Sequence, residues 1–393
     1  MERCKVMSTL FYKYWYDADG KVIDYLFITI HVDDGQLVAQ CGTTTYDWFI
    51  AEFKKYVRNA ELSLTYERFL GMDIKQSEDN NYFDISHETY IEDKLREYQK
   101  PFKTPMLNTI NLRTATPNQN NKSLLPITGT LRFPADRARP DILAAVGEVS
   151  CGGAKFPSDL HVQTADRICN YLLHTKSLCL RLGGEEISEK FAYVDASYNQ
   201  EAKSLSRIGA CMFYNLTSGA VWSISRNSLC RDQKYEHFSD DEDTDVEHND
   251  STLSHSSCES EINGIVAVGQ EVEFQREVDK ALKLECADKC VRVLVDSKSA
   301  ILLCKTLKSP NKTKHINMRI NYIRELINAR IISLHFIGTD ANVADMLTKA
   351  LPTVVYERHS KIIMHGHNGI SPFNSDSVYS MEQIYTMIEL ENL

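Results

Sequence analysis

The sequence predicts a mixed α/β (α+β) fold, and three observations predict it. Short apolar runs rich in Val, Ile, Phe and Tyr alternate with segments of 3.6-residue periodicity. From Phe191 onward these segments follow the order β-β-β-α-β-α-α-β-α, which a mixed sheet flanked by helices satisfies. Within that order, Val291-Arg-Val-Leu-Val-Asp296-Ser297-Lys-Ser-Ala-Ile-Leu-Leu303 runs from a buried-type strand straight into a helix, with a carboxylate at the junction. In such folds ligands gather at the carboxyl ends of strands. Asp296 is therefore either a helix cap or a functional acid. The choice turns on whether other acids reach the same edge.

A chain of 393 residues has room for two or three domains. No apolar run approaches the roughly 20 residues of a membrane-spanning helix, and Met1-Glu-Arg-Cys-Lys5 lacks the apolar core of a signal peptide. Eleven cysteines without framework spacing point to reduced thiols in a cytoplasmic or nuclear compartment. The closest pair, Cys286 and Cys290, has no matching Cys/His pair and reads as buried thiols rather than a zinc site. The net charge of −10 argues against a general nucleic-acid binder. Much of the excess, however, lies in one acidic, Ser-rich run between residues 227 and 256, and the remainder is close to balanced.

In chain order, Leu10 to Tyr16 and Val22 to His31 read as strands around the turn Asp17-Ala-Asp-Gly20. The second strand runs into Val32-Asp33-Asp34-Gly35 and then Gln36 to Ala39, a hairpin with two aspartates at its tip. That tip is a polar turn or a rigidly placed pair of metal ligands. Thr43 opens an amphipathic helix to Tyr56. Phe69 to Ile74 and Tyr82 to Ile85 form another hairpin, and Ser86 caps a helix to Tyr98. Residues 101–128, with Pro101, Pro105 and Pro117, read as loop, followed by helices at Arg139 to Val146 and Thr164 to His174.

The second half opens with the strand Phe191 to Ala196, which carries Asp195. A hairpin of Ile208 to Asn215 and Ala220 to Ser225 follows. Beyond the acidic run, Glu259 to Leu284 is helical in period, and Val291 to Asp296 leads into a helix to about Leu307. Thr313 to Asn328 is a helix with Ile316, Ile320, Ile323 and Ile327 inward, and Ile331 to Ile337 is a strand. Asp340 then caps a short helix through Asp345 and Leu347.

Asp195, Glu261, Asp296 and Asp345 thus each fall at a strand end or in the first turns of a helix. A bare cluster of four carboxylates raises its own pKa values. Two divalent cations about 3.5–4 Å apart remove that problem and clamp an in-line displacement at phosphorus. An acid-only donor set suits Mg²⁺.

Here the chain resembles the C-terminal part of the Pol polyprotein of copia-type LTR retrotransposons, over about residues 8–368. His31-Val-Asp33-Asp34 is similar to the polymerase box Tyr-Val-Asp-Asp, and Phe69-Leu-Gly-Met-Asp-Ile74 to the primer-gripping hairpin. Lys103-Thr-Pro-Met106 and Arg139-Pro-Asp-Ile142 match thumb and connection landmarks. Val194-Asp195-Ala-Ser197, Ser256-Ser-Cys-Glu-Ser-Glu261, Val295-Asp296-Ser297, Thr313-Lys-His315 and Asn342-Val-Ala-Asp345-Met-Leu-Thr-Lys349 match the ribonuclease H motifs.

The resemblance implies a partial reverse-transcriptase palm (1–86) and a thumb/connection-like region (87–190). A ribonuclease H-like domain (191–352) and a tail (353–393) follow. It implies Mg²⁺ or Mn²⁺ on Asp195, Glu261, Asp296 and Asp345, with Asp33 and Asp34 as ligands of a polymerase-type site. Glu261 is favoured over Glu259, because it lines up with Ile265 and Val268 on the sheet-facing side of its helix. The implied chemistry is two-metal hydrolysis of the RNA strand of an RNA–DNA hybrid, read by shape rather than by base. Lys312, Lys314, His315, Arg319 and Arg324 form a basic face for phosphates. Implied partners are nucleic acid and other Pol or capsid products of the element. The implied location is the cytoplasm, the nucleus or a virus-like particle.

Two departures qualify this. A palm needs a third aspartate upstream and fingers, and Met1 lies only about 30 residues before Asp33, so the chain alone is not expected to polymerise DNA. His31 also replaces the usual tyrosine. The acidic run before Glu261 adds repulsion toward phosphate at low salt. A catalytically inactive nucleic-acid-binding remnant is the alternative reading, with a metal-dependent deoxyribonuclease as a third.

Overall fold

The computed structural model describes residues 1–40, 42–57, 67–109, 112–151, 154–184, 187, 189–197, 206–227, 257–305, 317–374 and 378–379. The acidic run beyond residue 227 and the segment holding Lys312, Lys314 and His315 lie outside the described residues, as do residues 375–377 and 380–393 of the tail.

Strands β1 (Glu2–Arg3), β2 (Leu10–Tyr16), β3 (Val22–His31) and β4 (Asp34–Ala39) form an antiparallel sheet in sequence order, and α1 (Thr44–Tyr56) packs on it. Thr43 caps α1 by accepting the Tyr46 N–H, as its position predicts. A second sheet orders β5 (Arg68–Phe69), β6 (Met72–Gln76), β7 (Tyr82–Ser86) and β8 (Leu180–Gly183). Between β7 and β8 the chain forms α2 (Glu88–Leu95), α3 (Leu125–Ala135), α4 (Leu143–Ser150) and α5 (Asp159–His174).

The third sheet contains β9 (Phe191–Ser197), β10 (Arg207–Phe213), β11 (Trp222–Asn227), β12 (Val291–Val295), β13 (Ile332–Ile337) and β14 (Val378–Tyr379). Its spatial order is β11-β10-β9-β12-β13-β14. β9, β12 and β13 run parallel; β10, β11 and β14 are antiparallel to their neighbours. The helices α6 (Ser257–Ala281), α7 (Lys298–Lys305) and α8 (Asn317–Asn328) cover one face. The other face carries a 3-10 segment (Val343–Leu347) and α9 (Thr353–His365), with α4 and α5 beyond them. Burial on both faces explains why β9 reads as a continuous apolar run rather than an alternating one. No described helix is long and apolar enough to cross a membrane.

Four local expectations are corrected. Ser86 ends β7 instead of capping α2; the Asp73 carboxylate, from β6, takes the Thr89 N–H at 2.9 Å. Asp340 caps nothing in the 3-10 segment. The cap there is Asn342, whose side chain accepts from Ala344 N. Residues from Leu125 to Ala135 are helical, with Pro126 tolerated in the first turn. Finally, α9 packs into the core where a tail was expected, burying Tyr356, His359, Ile363 and Met364.

Behind the third sheet lies a buried ion pair. Arg139 and Asp141 have side chains 0% exposed, and two hydrogen bonds of 2.9 and 2.8 Å join them. Arg139 also donates to the carbonyl and hydroxyl of Thr175 at the end of α5. Tyr171 donates to the Asp141 carboxylate, and Tyr356 of α9 to the Asp141 carbonyl. Removing one partner leaves an uncompensated buried charge. Asp141→Asn or Arg139→Met is therefore expected to lower stability by roughly 3–5 kcal/mol in chemical denaturation. Arg139→Met/Asp141→Leu is expected to recover part of that loss. A change below about 1 kcal/mol in the single variants would show that the pair does not hold the fold.

Candidate metal centre

Register brings the acids together. On β9, Phe191, Tyr193 and Asp195 share one face by the two-residue period of a strand. Val295 of β12 pairs in parallel with Val194, so Asp296, one residue past β12, lands beside Asp195. Ser297, not Asp296, caps α7: its hydroxyl accepts the Ala300 N–H at 3.3 Å. The cap reading of Asp296 is thereby replaced, and its carboxylate is released to the sheet edge.

Asp345 arrives on the 3-10 segment. Asn342, fully buried, ties that segment to β9 by donating to the Val194 carbonyl at 2.8 Å. Gly209 makes the close approach possible. It lies opposite Asp195 in the β9–β10 register, and a Cβ there would sit 2.7 Å from both Leu347 and Thr348. The segment's Thr348 hydroxyl donates to Asp195 Oδ2. One ligand oxygen from each of Asp195, Asp296 and Asp345 can be chosen so that all three lie within 4.8 Å of one another.

Glu261 approaches from α6. Gly264, one turn on, faces Val194, where a Cβ would meet the valine methyl at 2.6 Å. Helix and strand therefore lie close enough for Glu261 Oε1 to accept the Ala196 N–H at 3.2 Å. Glu259 instead meets Arg319 at 3.5 Å, so the two glutamates diverge as their helical positions predict.

The electrostatics follow from burial. Glu261 is pushed up to about 9, first by burial and then by the charges of Asp195 and Asp296. Asp296 is raised by burial and by Asp195, against a bond from the Thr339 hydroxyl. Asp345 is likewise raised by burial and by Asp195, against the pull of Lys349. Lys349 Nζ lies 3.0 Å from Asp345 Oδ1. Burial lowers its ammonium, but Asp195, Asp345 and Asp296 more than reverse this and hold it above the ordinary lysine value.

A divalent cation fits these residues. The donors are all carboxylate oxygens, the preference of a hard cation. Glu261 Oε2 is buried without a hydrogen-bond partner among the described residues, an arrangement a cation relieves.

The other candidates do not join this cluster. Asp33 and Asp34 are exposed at the tip of the β3–β4 hairpin, where His31 pairs with Asp34 across a two-residue loop. Among the described residues they belong to no group of three potential metal ligands. Arg324 donates to the Leu303 and Cys304 carbonyls at 3.0 Å each, closing the end of α7. Its guanidinium thus has a packing role that its place on a basic helix face did not reveal. Sequence reasoning missed Asn342, Thr348 and Lys349 as contributors, although all three lie in the stretch quoted around Asp345. Gly209 carried its own signal, since glycine inside a strand often marks close backbone approach.

No family model matches the chain. The retrovirus-related Pol polyprotein from transposon TNT 1-94 of Nicotiana tabacum is 27% identical over 314 residues, covering 77% of this chain and 22% of that protein. The putative transposon Ty5-1 protein of Saccharomyces cerevisiae is 32% identical over 188 residues, covering 46% of this chain and 58% of that protein. The chain thus spans about a fifth of the first of these relatives and somewhat over half of the second. Among solved structures, LC11 ribonuclease H1 isolated from compost aligns at TM-score 0.29 and 12% identity, over 41% of this chain and 92% of that one. A foamy viral protease-reverse transcriptase in complex with double-stranded DNA aligns at TM-score 0.40 and 15% identity, over 83% of this chain and 46% of that one. By sequence, the chain is similar to a segment of the retrovirus-related Pol polyproteins of transposons.

Proposed function

We propose that this chain binds RNA–DNA hybrid and hydrolyses its RNA strand at the centre formed by Asp195, Glu261, Asp296 and Asp345, using Mg²⁺ or Mn²⁺. The observation that supports it most directly is the convergence of three aspartates within ligand range beside the unpartnered oxygen of Glu261. Residues 191–352 are the ribonuclease H-like unit in this reading, after palm-like (1–86) and thumb/connection-like (87–190) parts.

Two cations bound there supply an activated water and charge stabilisation for the leaving oxygen. The chain's own residues prepare the site. Thr348 fixes the orientation of Asp195 by donating to Oδ2. Ala196 N–H holds one oxygen of Glu261, and the other is buried and unbonded. Asn342 keeps the Asp345 segment against β9. Lys349 balances part of the negative charge and is a point charge for which a substrate phosphate competes with Asp345. Arg319 already meets Glu259 through one nitrogen, and Arg324 already caps the end of α7.

For the segment carrying Asp33 and Asp34, a second reading is favoured: nucleic-acid binding without chemistry. The two carboxylates are exposed and gather no third one among the described residues.

Three outcomes are expected. With Mg²⁺ or Mn²⁺, the full chain cuts the RNA strand of a labelled hybrid, and Asp296→Asn or Asp195→Asn loses on the order of 100-fold, about 2.7 kcal/mol of barrier. Equal cleavage by wild type and variants, or cleavage of duplex DNA instead, would sink the proposal. The second outcome concerns pH. The folded chain holds Glu261 up near about 9 against an ordinary 4.5, so across neutral pH it binds more protons than the unfolded chain. Above the range in which the buried histidines titrate, stability of the chain in EDTA must then fall as pH rises from about 7 to about 9, and Glu261→Gln must flatten that fall. A melting temperature that rises over this range contradicts the assignment. Third, primer extension by the full chain with Mg²⁺ is expected to give no product. Synthesis abolished by Asp33→Asn would overturn the binding-only reading.

A further inference from the structure

A cavity of about 540 Å³ opens at the carboxyl end of β13, on the face of the sheet that carries Tyr193. Its walls include Tyr193, Ile337 and Ile362, and its mouth holds Thr339 and Arg358. The volume is in the range of small-molecule sites.

His359 of α9 lines this cavity. It is 1% exposed, and neither ring nitrogen has a hydrogen-bond partner among the described residues. Leaving a buried polar group unpaired costs about 1–3 kcal/mol. Burial, with the Arg358 charge adding to it, lowers His359 to about 4, so the ring is neutral and presents one donor and one acceptor. The second histidine of the wall, His367, is already paired, its Nε2 lying 3.1 Å from the Tyr193 hydroxyl. Arg358 donates through one nitrogen to the Asp340 carbonyl, one of the five donors of a guanidinium.

These features describe a ligand. Apolar walls fit a flat ring, a neutral imidazole fits a ring with its own donor and acceptor, and an arginine at the mouth fits an attached anion. The cavity also adjoins the metal centre, because Thr339 both lines it and hydrogen-bonds Asp296. We propose that this cavity is a nucleotide subsite that takes a nucleobase against His359 and the apolar wall, with its phosphate at Arg358. The choice of a nucleotide over other flat, anionic rings rests on the proposed function; the cavity and its unpaired histidine do not.

The test is titration of the full chain, in EDTA, with the four ribonucleoside monophosphates and the matching nucleosides, read by calorimetry and thermal shift. Saturable one-to-one binding is expected, tighter for a monophosphate than for its nucleoside. Arg358→Ala should erase that difference. His359→Leu should weaken both ligands at least about tenfold. The same variant should melt no lower than wild type without ligand, because an unpaired polar group has been replaced by an apolar one. Absence of saturable binding up to about 1 mM would overturn the proposal, as would unchanged affinity in His359→Leu. Competition by an RNA–DNA hybrid oligonucleotide would identify the occupant as a nucleotide of bound nucleic acid, and lack of competition as a free nucleotide; either upholds the subsite. EDTA keeps hydrolysis out of the measurement, so nucleotide binding without hybrid cleavage would reject the hydrolytic reading and leave the subsite standing.

Discussion

Like charges resist being placed together, and the third sheet is organised around four that are. Burial alone raises a carboxyl, and each neighbouring carboxylate adds to it. The fold nevertheless brings Asp195, Asp296 and Asp345 within ligand range and sets Glu261 beside them. What permits this is close backbone approach. Gly209 admits the Asp345 segment against β10, and Gly264 admits α6 against β9. A Cβ at either position would lie within 2.7 Å of a facing side chain, so the packed element would have to shift. The polar ties, Asn342 to Val194 and Thr348 to Asp195, then hold what the glycines allow.

The opposite side of the sheet holds the segment from behind. Val343, Ala344, Met346 and Leu347 are buried in the core shared with α4, α5 and α9. Tyr356 links α9 to the Arg139–Asp141 pair through the Asp141 carbonyl. A buried salt bridge contributes little net stability compared with apolar packing, but it fixes geometry because either charge alone is so unfavourable. Here the geometry that it fixes is the seat of the Asp345 segment.

Much of this was legible in the sequence where local signals and tertiary structure agree. The order of strands and helices from Phe191 to Ile337 follows from period and punctuation, and so does the preference for Glu261 over Glu259. Elsewhere a nonlocal partner took over a local role. Ser86 has the chemistry of a cap, yet Asp73 from another strand does the capping. Asp340 stands two residues before Asn342, and only the bond to Val194 shows which of them is anchored. The helix α9 was hidden behind Leu351-Pro352, because proline ends helices in a linear reading although it sits well just before one. β8 and β14 are too short to announce themselves and exist by pairing with β7 and β13.

The overall charge bears on how the site works. At −10 the chain repels polyanions in general. Several of its cations are also occupied internally: Arg139 by Asp141, Lys190 by Asp279 and Arg207 by Glu148, each at most 3% exposed. Near the acids, Lys349 and Arg319 lie on carboxylates of their own. Under the proposed function, and among the described residues, the positive charge that would draw a phosphate into this edge therefore comes chiefly from bound divalent cations. On that reading metal binding precedes substrate binding, and added monovalent salt should relieve repulsion as much as it screens attraction. The salt dependence of hybrid affinity would then be shallower than for a protein that meets the backbone with its own lysines and arginines.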